Sequence, residues 1–237
     1  MGDQAIWQTE GAQKRMAVRG LFADIAPTYD FLNSLFSFRL HHRWRAFAVR
    51  QLRLMPGDRA LDVCCGTGDF MRPLRKAVGA GGHVFGIDFC LPMLERARRK
   101  GVKGELGVGD ACQLPIRDGS LSGASVGWGI RNVPDIDRAH RELYRVLKPG
   151  GRFVSLDMAR PRNSLVRKAS EWAFNRLVPW FGGLFGKARA YTYLPKSTER
   201  FMSREELTES MARAGFIEIG LKDLFFGNVC LHWGAKP

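Results

Sequence analysis

At 237 residues, 45% of them hydrophobic, the chain is long enough for one α/β domain with a sizeable core, and no linker-like stretch divides it. No apolar run reaches the roughly 18 residues of a membrane span, and the start, with Asp3 and Glu10 around Trp7, lacks a signal-peptide pattern. Five cysteines form no C-x-x-C pair, so neither a disulfide framework nor a metal site is indicated. The sequence therefore predicts one domain, 1–237, in a reducing, cytoplasmic compartment.

The net charge of +14 comes from 37 basic and 23 acidic residues and predicts a negatively charged partner, either anionic lipid or nucleic acid. About half of the excess lies in one segment, on Arg160, Arg162, Arg167, Lys168, Arg176, Lys187, Arg189, Lys196 and Arg200. The aromatic residues of that segment are Trp172, Phe174, Trp180, Phe181 and Phe185. Cations interleaved with Trp and Phe are typical of a helix lying on an anionic membrane surface. A solvated basic face over an ordinary core stripe explains the pattern equally well.

In chain order, the periodicity predicts amphipathic helices over 12–22 and 40–54, which would make residues 1–55 a helical cap. Pro56-Gly57-Asp58 is the turn into the first strand. Strands are predicted near 60–64, 83–88, 104–108, 123–128 and 152–157, and helices near 70–78, 92–100 and 136–147. This alternation implies that 56–158 form a core with a parallel sheet and right-handed crossovers.

The end of the chain carries a separate pattern. After a helical insertion over 159–202, Ser203-Arg204-Glu205-Glu206 is a capping box that opens a helix, and Gly215 closes it. Strands near 216–222 and 225–233 would complete 203–237 as a terminal hairpin.

The most informative motif is an apolar strand followed by a two-glycine turn and a helix, at Leu61-Asp62-Val63-Cys64-Cys65-Gly66-Thr67-Gly68-Asp69. The next strand, Val84-Phe85-Gly86-Ile87-Asp88, ends in a carboxylate. In such units the turn Gly66-Thr67-Gly68 lets a ligand approach the backbone, and the acid accepts hydrogen bonds from ribose hydroxyls. The layout predicts a nucleoside-containing cofactor.

The same motif distinguishes between nucleosides. A dinucleotide site has a third glycine where Met71 stands, and Asp69 occupies the helix start that a pyrophosphate would need. A Walker loop has Lys and Ser or Thr after the second glycine, where this chain has Asp69-Phe70. S-adenosylmethionine replaces the phosphates by a group with a sulfonium and an ammonium, so an acid beside the turn is favourable. S-adenosylmethionine is the preferred cofactor, and a dinucleotide is the alternative.

Residues 61–69 and Asp88 resemble the first motif and the ribose-binding acid of class I methyltransferases. The block from Tyr29 to Trp44 is similar to the N-terminal signature of the quinone-biosynthesis C-methyltransferases. The resemblance implies a class I, Rossmann-like α/β fold, with a seven-stranded, mostly parallel sheet, helices on both faces and an antiparallel finish. It also implies that Asp110 and Ala111 flank the adenine, and that Tyr29 and Asp30 cover the cofactor, with a capping role for Asp30 as the alternative.

Within that family, Cys64-Cys65 and the Gly-Trp-Gly-Ile-Arg loop, 127–131, look most similar to the branch that methylates demethylmenaquinone or demethylphylloquinone. The implied partner is a prenylated quinol, with a benzoquinol of ubiquinone synthesis as the alternative. A nucleic-acid methyltransferase is a further alternative that the basic charge would suit. Its amine-methylating relatives usually carry an Asn/Asp-Pro-Pro-aromatic loop after the fourth strand, which is absent here, so no nucleic-acid partner is expected. A cofactor-binding module without turnover, a homodimer and a peripheral position at the inner face of the membrane all stay open.

Methylation of a quinol carbon needs a proton acceptor and a group that stabilises the phenolate. Arg131 follows the fourth strand at the crevice mouth and is the predicted phenolate partner, with a structural pair to Asp135 as the alternative. His41 and His42 have a suitable ordinary pKa for the acceptor, and a water molecule held by polar groups is equally consistent. Gly127 stands where many relatives have a serine, so no side-chain role passes to it.

Overall fold

The computed structural model describes residues 11–184, 193 and 196–237. The helices are α1 Gly11–Ile25, α2 Tyr29–Phe36, α3 Leu40–Gln51, α4 Met71–Val78, α5 Leu91–Arg99, α6 Ile136–Val146, α7 Ser164–Leu184 and α8 Arg204–Arg213. The strands are β1 Arg59–Val63, β2 His83–Asp88, β3 Glu105–Val108, β4 Leu121–Gly127, β5 Leu147–Met158, β6 Ile217–Leu224 and β7 Val229–Ala235. Short 3₁₀ helices cover Ile130–Asn132 and Phe225–Gly227.

The strands form one seven-stranded sheet in the order β3-β2-β1-β4-β5-β7-β6. Neighbours from β3 to β5 pair in parallel, and β7 runs antiparallel to both β5 and β6. The predicted class I architecture is confirmed. Because the strand order reverses between β1 and β4, a crevice forms at the carboxyl ends of these strands.

Helices pack on both faces of the sheet because its central strands are apolar on both sides. Leu61 and Val63 of β1 pack in the core cluster that includes α6 and α8, whereas Ala60 packs in the cluster that includes α3 and α4. A third cluster joins α1 and α2 to Met93 of α5 and to Tyr193. The N-terminal helices therefore lie against the carboxyl edge of the sheet, above the crevice.

The elements differ from the sequence prediction mainly at their ends. The helix predicted over 40–54 ends at Gln51, because Arg53 has a φ of 51°, outside the helical region. The last parallel strand begins at Leu147, directly after α6, instead of near 152. Helix α2, which is only eight residues long, is not among the helices predicted from the sequence.

The start of α8 confirms the predicted capping box. The Ser203 hydroxyl accepts from the Glu206 N–H at 3.1 Å, and the Glu206 carboxylate accepts from the Ser203 N–H at 2.7 Å. Gly215 follows the helix with a φ of 103°, as a residue that ends a helix often does.

Some predictions fall on residues that the structure does not describe. Residues 1–10, used to exclude a signal peptide, lie outside the described residues, as do Phe185, Lys187 and Arg189 of the basic segment. Across the helices that the structure does describe, no stretch has the length and apolar character needed to span a membrane.

Candidate active site

A cleft of about 730 Å³ opens at the carboxyl edge of the sheet. Gly66 follows β1, Asp88 ends β2, Asp110 and Ala111 follow β3, and Tyr29 reaches the cleft from α2. The structure thus brings these five predicted cofactor residues together. We call this space the cofactor cleft.

Asp88 is the most strongly positioned group of the cofactor cleft. Its carboxylate accepts from the Gly66 N–H and from the Cys90 N–H, each at 2.8 Å, so it cannot rotate freely. Burial raises the pKa of Asp88 to about 6, against the lowering effect of the Cys90 and Gly66 donors. Each carboxylate oxygen has more than one lone pair, so Asp88 can accept further hydrogen bonds from a ribose.

Gly66 gives the cofactor cleft an open backbone edge. Its φ is 55°, in the left-handed region, and a Cβ built on it would have no atom within 4 Å. The space beside it is therefore available to a ligand. Opposite, a Cβ on Gly127 would lie 2.5 Å from the Phe70 ring, which explains why this chain has no serine there.

The rest of the predicted turn supports Gly66 and does not line the cleft. The Thr67 hydroxyl donates to Asp30 at 2.5 Å, and a Cβ on Gly68 would lie 2.8 Å from Val102. Asp30 also pairs with Arg96 at 3.0 Å, so it anchors the turn instead of covering a cofactor or capping a helix. Thr67 and Gly68 therefore shape the turn, and neither lines the cofactor cleft.

Asp69 also has a different environment from the one expected. Its carboxylate pairs with Lys100 at 2.8 Å and with Arg45 at 3.3 Å. Burial would raise its pKa, but the charges of Arg45 and Lys100 outweigh burial and lower it. Asp69 is therefore a half-buried counter-ion, and not an open partner for an ammonium group.

Helix α1 covers the cofactor cleft from above. Arg15 pairs with Asp110 at 3.0 Å, and Lys14 Nζ donates to the carbonyls of Arg131 and Val133 at 3.4 and 3.3 Å. The other oxygen of Asp110 accepts from the Cys112 N–H at 2.9 Å. The predicted adenine-flanking acid is thus fixed in place by both the cap and the loop after β3.

A second cavity, of about 800 Å³, adjoins the cofactor cleft. Phe22, Tyr29 and Trp128 line both spaces. Six of the remaining lining residues are aromatic or aliphatic and six are polar or charged: Phe36, Trp44, Met158, Phe174, Phe225 and Val229, against Asn33, Ser37, His41, Arg45, Arg131 and Thr198. A flat apolar molecule in this space, which we call the acceptor cavity, would lie directly beside a ligand in the cofactor cleft.

Arg131 lines the acceptor cavity, and its side chain is 4% exposed. It forms a buried ion pair with Asp157 of β5 and donates to the Trp128 carbonyl at 3.0 Å. Among the described residues, none accepts a hydrogen bond from its Nε. The alternative pair with Asp135 is wrong, because Asp135 accepts from the Arg138 N–H at 2.8 Å as the cap of α6.

His41 also lines the acceptor cavity, but its ring nitrogens are engaged. Nδ1 faces the Arg45 guanidinium, and Nε2 lies 3.3 Å from the Ser34 hydroxyl. Burial, followed by the charge of Arg45, lowers the pKa of His41 to about 4. A histidine in this state is neutral and directs no free lone pair into the cavity, so the geometry does not favour a general base.

Several residues of the acceptor cavity, above all Arg45 and Phe225, are not among those predicted from the sequence. A signal for Arg45 exists, because His41, Trp44 and Arg45 are spaced i, i+3 and i+4 and therefore share one face of α3. Phe225 lies in the connection between β6 and β7, far away in sequence. No local pattern links it to the other lining residues.

Comparison with known proteins agrees with this geometry. The chain matches the ubiE/COQ5 methyltransferase family over residues 8–236. It is 39% identical to a demethylmenaquinone methyltransferase of Desulfitobacterium hafniense (strain Y51), over 99% of this chain and 96% of that protein. A demethylmenaquinone methyltransferase of Staphylococcus aureus (strain JH9) is 40% identical, over 92% of each chain.

Solved structures share the fold. A SAM-dependent methyltransferase of Thermotoga maritima, described as a possible histamine N-methyltransferase, has a TM-score of 0.66 at 24% identity, over 92% of this chain and 99% of that one. Geranyl diphosphate C-methyltransferase of Streptomyces coelicolor A3(2) has a TM-score of 0.61 at 16% identity, over 84% and 82%. The chain therefore belongs to the ubiE/COQ5 methyltransferase family and is an S-adenosylmethionine-dependent methyltransferase.

Proposed function

We propose that this enzyme methylates the free ring carbon of a prenylated naphthoquinol, demethylmenaquinol or demethylphylloquinol. The observation that carries the proposal is the apolar acceptor cavity beside the cofactor cleft, with Arg131 buried in its wall. A naphthoquinol is flat and apolar but carries oxygens that need polar partners. The names of the relatives from Desulfitobacterium and Staphylococcus support the same substrate class.

The residues of the cofactor cleft fit S-adenosylmethionine. Asp88 would accept from the ribose hydroxyls, Gly66 would allow close approach of the chain, and Asp110 and Ala111 would flank the adenine. Tyr29 lines both spaces, so it would contact the end of the cofactor that faces the acceptor. When bound, S-adenosylmethionine supplies a methyl carbon activated by its positive sulfur.

The first task of the protein is to position the acceptor. Phe22, Tyr29 and Trp128 form a wall common to both spaces, so a ring held against them lies next to the methyl group. Holding nucleophile, carbon and leaving group in line can account for roughly 7–11 kcal/mol of a barrier. No nucleophilic side chain is needed.

The second task is to stabilise negative charge on the acceptor. Loss of a quinol hydroxyl proton gives a phenolate, whose electrons move to the ortho carbon and form the new C–C bond. The electron pair of the C–S bond would stay on sulfur. The ring carbon then loses its proton and the phenolate oxygen takes one back, so one proton is released overall. Arg131 is positioned to pair with the phenolate, and a fixed donor of this kind is worth about 10²–10³ in rate.

The proton acceptor in this proposal is a water molecule, and not His41. The buried charge of Arg131 lowers the pKa of a hydroxyl beside it, because an adjacent cation favours the ionised form. His41 instead orients Arg45 through Nδ1. We therefore assign His41 a positioning role.

The exposed apolar residues around the acceptor cavity support access from a membrane surface. Phe38 follows Ser37 of the cavity wall and is 76% exposed, and Phe226 follows Phe225 and is 79% exposed. On α7, Phe174 lines the cavity whereas Trp172 is 63% exposed, beside the exposed cations Arg167 and Lys168. A prenyl tail could thus stay in an anionic bilayer while the ring enters the cavity.

The proposal is tested by offering radiolabelled S-adenosylmethionine with three acceptors in parallel: a prenylated demethylnaphthoquinol, a demethylated benzoquinol of ubiquinone synthesis and bulk RNA. We expect label transfer to the naphthoquinol at a rate well above that for the other two. Preferential labelling of the benzoquinol or of RNA would contradict the assignment.

A further inference from the structure

We propose that Arg45 is a second acceptor-binding residue, which binds the quinol oxygen on the side of the ring opposite to the oxygen held by Arg131. The inference rests on the proposed function, since it concerns the same acceptor. A 1,4-quinol has two oxygens, and only one of them becomes the phenolate that drives methylation. The other enters the same apolar cavity and must also find a polar partner, because a buried polar group without one is unfavourable.

The position of Arg45 meets this need. It lies on α3, lines the acceptor cavity and is 5% exposed, so its charge is removed from bulk water. The guanidinium carbon lies 4.6 Å from the centre of the Trp128 ring. The backbone carbonyl of Trp128 accepts from Arg131 at 3.0 Å. Two guanidinium groups therefore flank one residue of the wall that the acceptor cavity shares with the cofactor cleft.

The hydrogen bonds of Arg45 leave the N–H of its Nε available. Nη1 contacts His41, and Nη2 pairs with Asp69 at 3.3 Å. Among the described residues, Nε has no hydrogen-bond partner, although it is buried. Arg131 has the same property at its own Nε. The cavity thus contains two buried cations, each with an unused N–H, and the proposed acceptor brings two oxygens.

The neighbours of Arg45 hold it in this orientation. Asp69 is fixed by Lys100 at 2.8 Å, and His41 lies 3.3 Å from Ser34, so both partners of the guanidinium are themselves restrained. His41 and Asp69 are positioning residues in this arrangement. A guanidinium restrained on two sides loses little further freedom when it binds an oxygen.

The test compares two ligands that differ by one oxygen. One is a 2-prenyl-1,4-naphthalenediol, and the other is its analogue without the hydroxyl beside the prenylated carbon. Their binding is measured anaerobically by quenching of tryptophan fluorescence, with S-adenosylhomocysteine saturating so that no turnover occurs. For the wild-type protein we expect the diol to bind about 10- to 100-fold more tightly, since it alone makes the charge-assisted hydrogen bond.

Arg45→Met should bind the two ligands within about threefold of each other, because the partner of the missing hydroxyl is gone. Arg43→Met makes the same change at an exposed site on the same helix and should keep the wild-type ratio. Should Arg45→Met fail to fold, Arg45→Met with Asp69→Asn also removes the carboxylate that would be left with Lys100 as its partner, and should give the same loss of discrimination. The Asp69→Asn variant retains the Arg45 guanidinium, so it should still bind the diol more tightly than the analogue, by nearly the wild-type factor.

The inference would be overturned if the folded Arg45 variants kept the wild-type ratio of affinities for the two ligands. It would also be overturned if the wild-type protein bound the two ligands equally well. Failure of the proposed function has a different signature. In that case the wild-type protein would transfer no methyl group to the diol, while the binding ratio would still report on Arg45.

Discussion

The cofactor cleft and the acceptor cavity share a wall but are built differently. The cofactor cleft is formed by turns that directly follow strands, at Gly66, Asp88 and Asp110. Most of the wall of the acceptor cavity comes from α2, α3, α7 and the connection before β7, which are distant in sequence, and Trp128 and Arg131 join it after β4. In the proposed complex the cofactor would be held mainly by the sheet edge, whereas the acceptor would be held mainly by elements packed around it. Changes in one space should therefore leave the other largely intact.

Asp88→Ala is expected to produce the largest difference between the two spaces, because it should weaken cofactor binding and leave acceptor binding intact. The change removes two charge-assisted hydrogen bonds to the ribose, worth about 1.5–3 kcal/mol each, so affinity for S-adenosylmethionine should fall about 10²–10⁴-fold. Calorimetry measures the affinity for S-adenosylmethionine. Quenching of tryptophan fluorescence by the naphthalenediol measures binding to the acceptor cavity of the same variant. Asp88→Asn keeps the side-chain volume and serves as the matched control. Unchanged cofactor affinity would remove Asp88 from the site.

Arg131→Met should have the converse effect. Turnover should fall about 10²–10³-fold through loss of phenolate stabilisation, while cofactor affinity stays within a few-fold. Because the change leaves Asp157 buried without its partner, Arg131→Met with Asp157→Asn is the appropriate control for folding. A normal rate in either variant would exclude Arg131 from the reaction.

Membrane binding should depend on the side of the molecule that carries the acceptor cavity. Replacing Arg167 and Lys168 by glutamine should weaken sedimentation with anionic vesicles about 30-fold, at about 1 kcal/mol for each cation near the surface. Arg53 and Arg59 are exposed near the start of β1, at the opposite edge of the sheet, and the same change there should have little effect. If replacing Arg53 and Arg59 weakened vesicle binding as much as replacing Arg167 and Lys168, the attraction would be nonspecific and a docking face would be contradicted.

The affinity for the cofactor should depend on pH through Asp88, which lies in the cofactor cleft. The pKa of Asp88 is raised to about 6, and only its ionised form accepts from both ribose hydroxyls. Cofactor affinity should therefore be complete above pH 6 and fall about tenfold per pH unit below it. Asp88→Asn should show a flat profile between pH 5 and 8. An equally steep profile in that variant would assign the titration to another group.

The smallest effect is expected from His41→Asn. Since His41 positions Arg45 and its own pKa is about 4, turnover should fall only a few-fold and the shape of the rate profile between pH 6 and 8 should persist. A loss comparable to that of Arg131→Met, together with a flattened profile, would restore His41 as the proton acceptor.

The sequence by itself determined the sheet, the turn at Gly66 and the carboxylate at Asp88. These features are local, because each depends on only a few consecutive residues. They are the periodicity of a strand, a glycine with a positive φ and an acid at the end of a strand. Since parallel strands end at one edge, their convergence follows from the alternation of strands and helices alone. Family resemblance added Asp110, Ala111 and Tyr29, which also line the cofactor cleft.

Only the tertiary structure decided the partners of the charged residues and the shape of the acceptor cavity. Arg131 pairs with Asp157, 26 positions away, and not with its neighbour Asp135. Burial lowers the pKa of His41 to about 4, which disfavours the proton acceptor that its sequence context had offered. Phe225 meets Trp44, with ring centres 5.7 Å apart, through the return of β7 to the sheet. Burial and long-range packing set these contacts, and neither is encoded in a short stretch of residues.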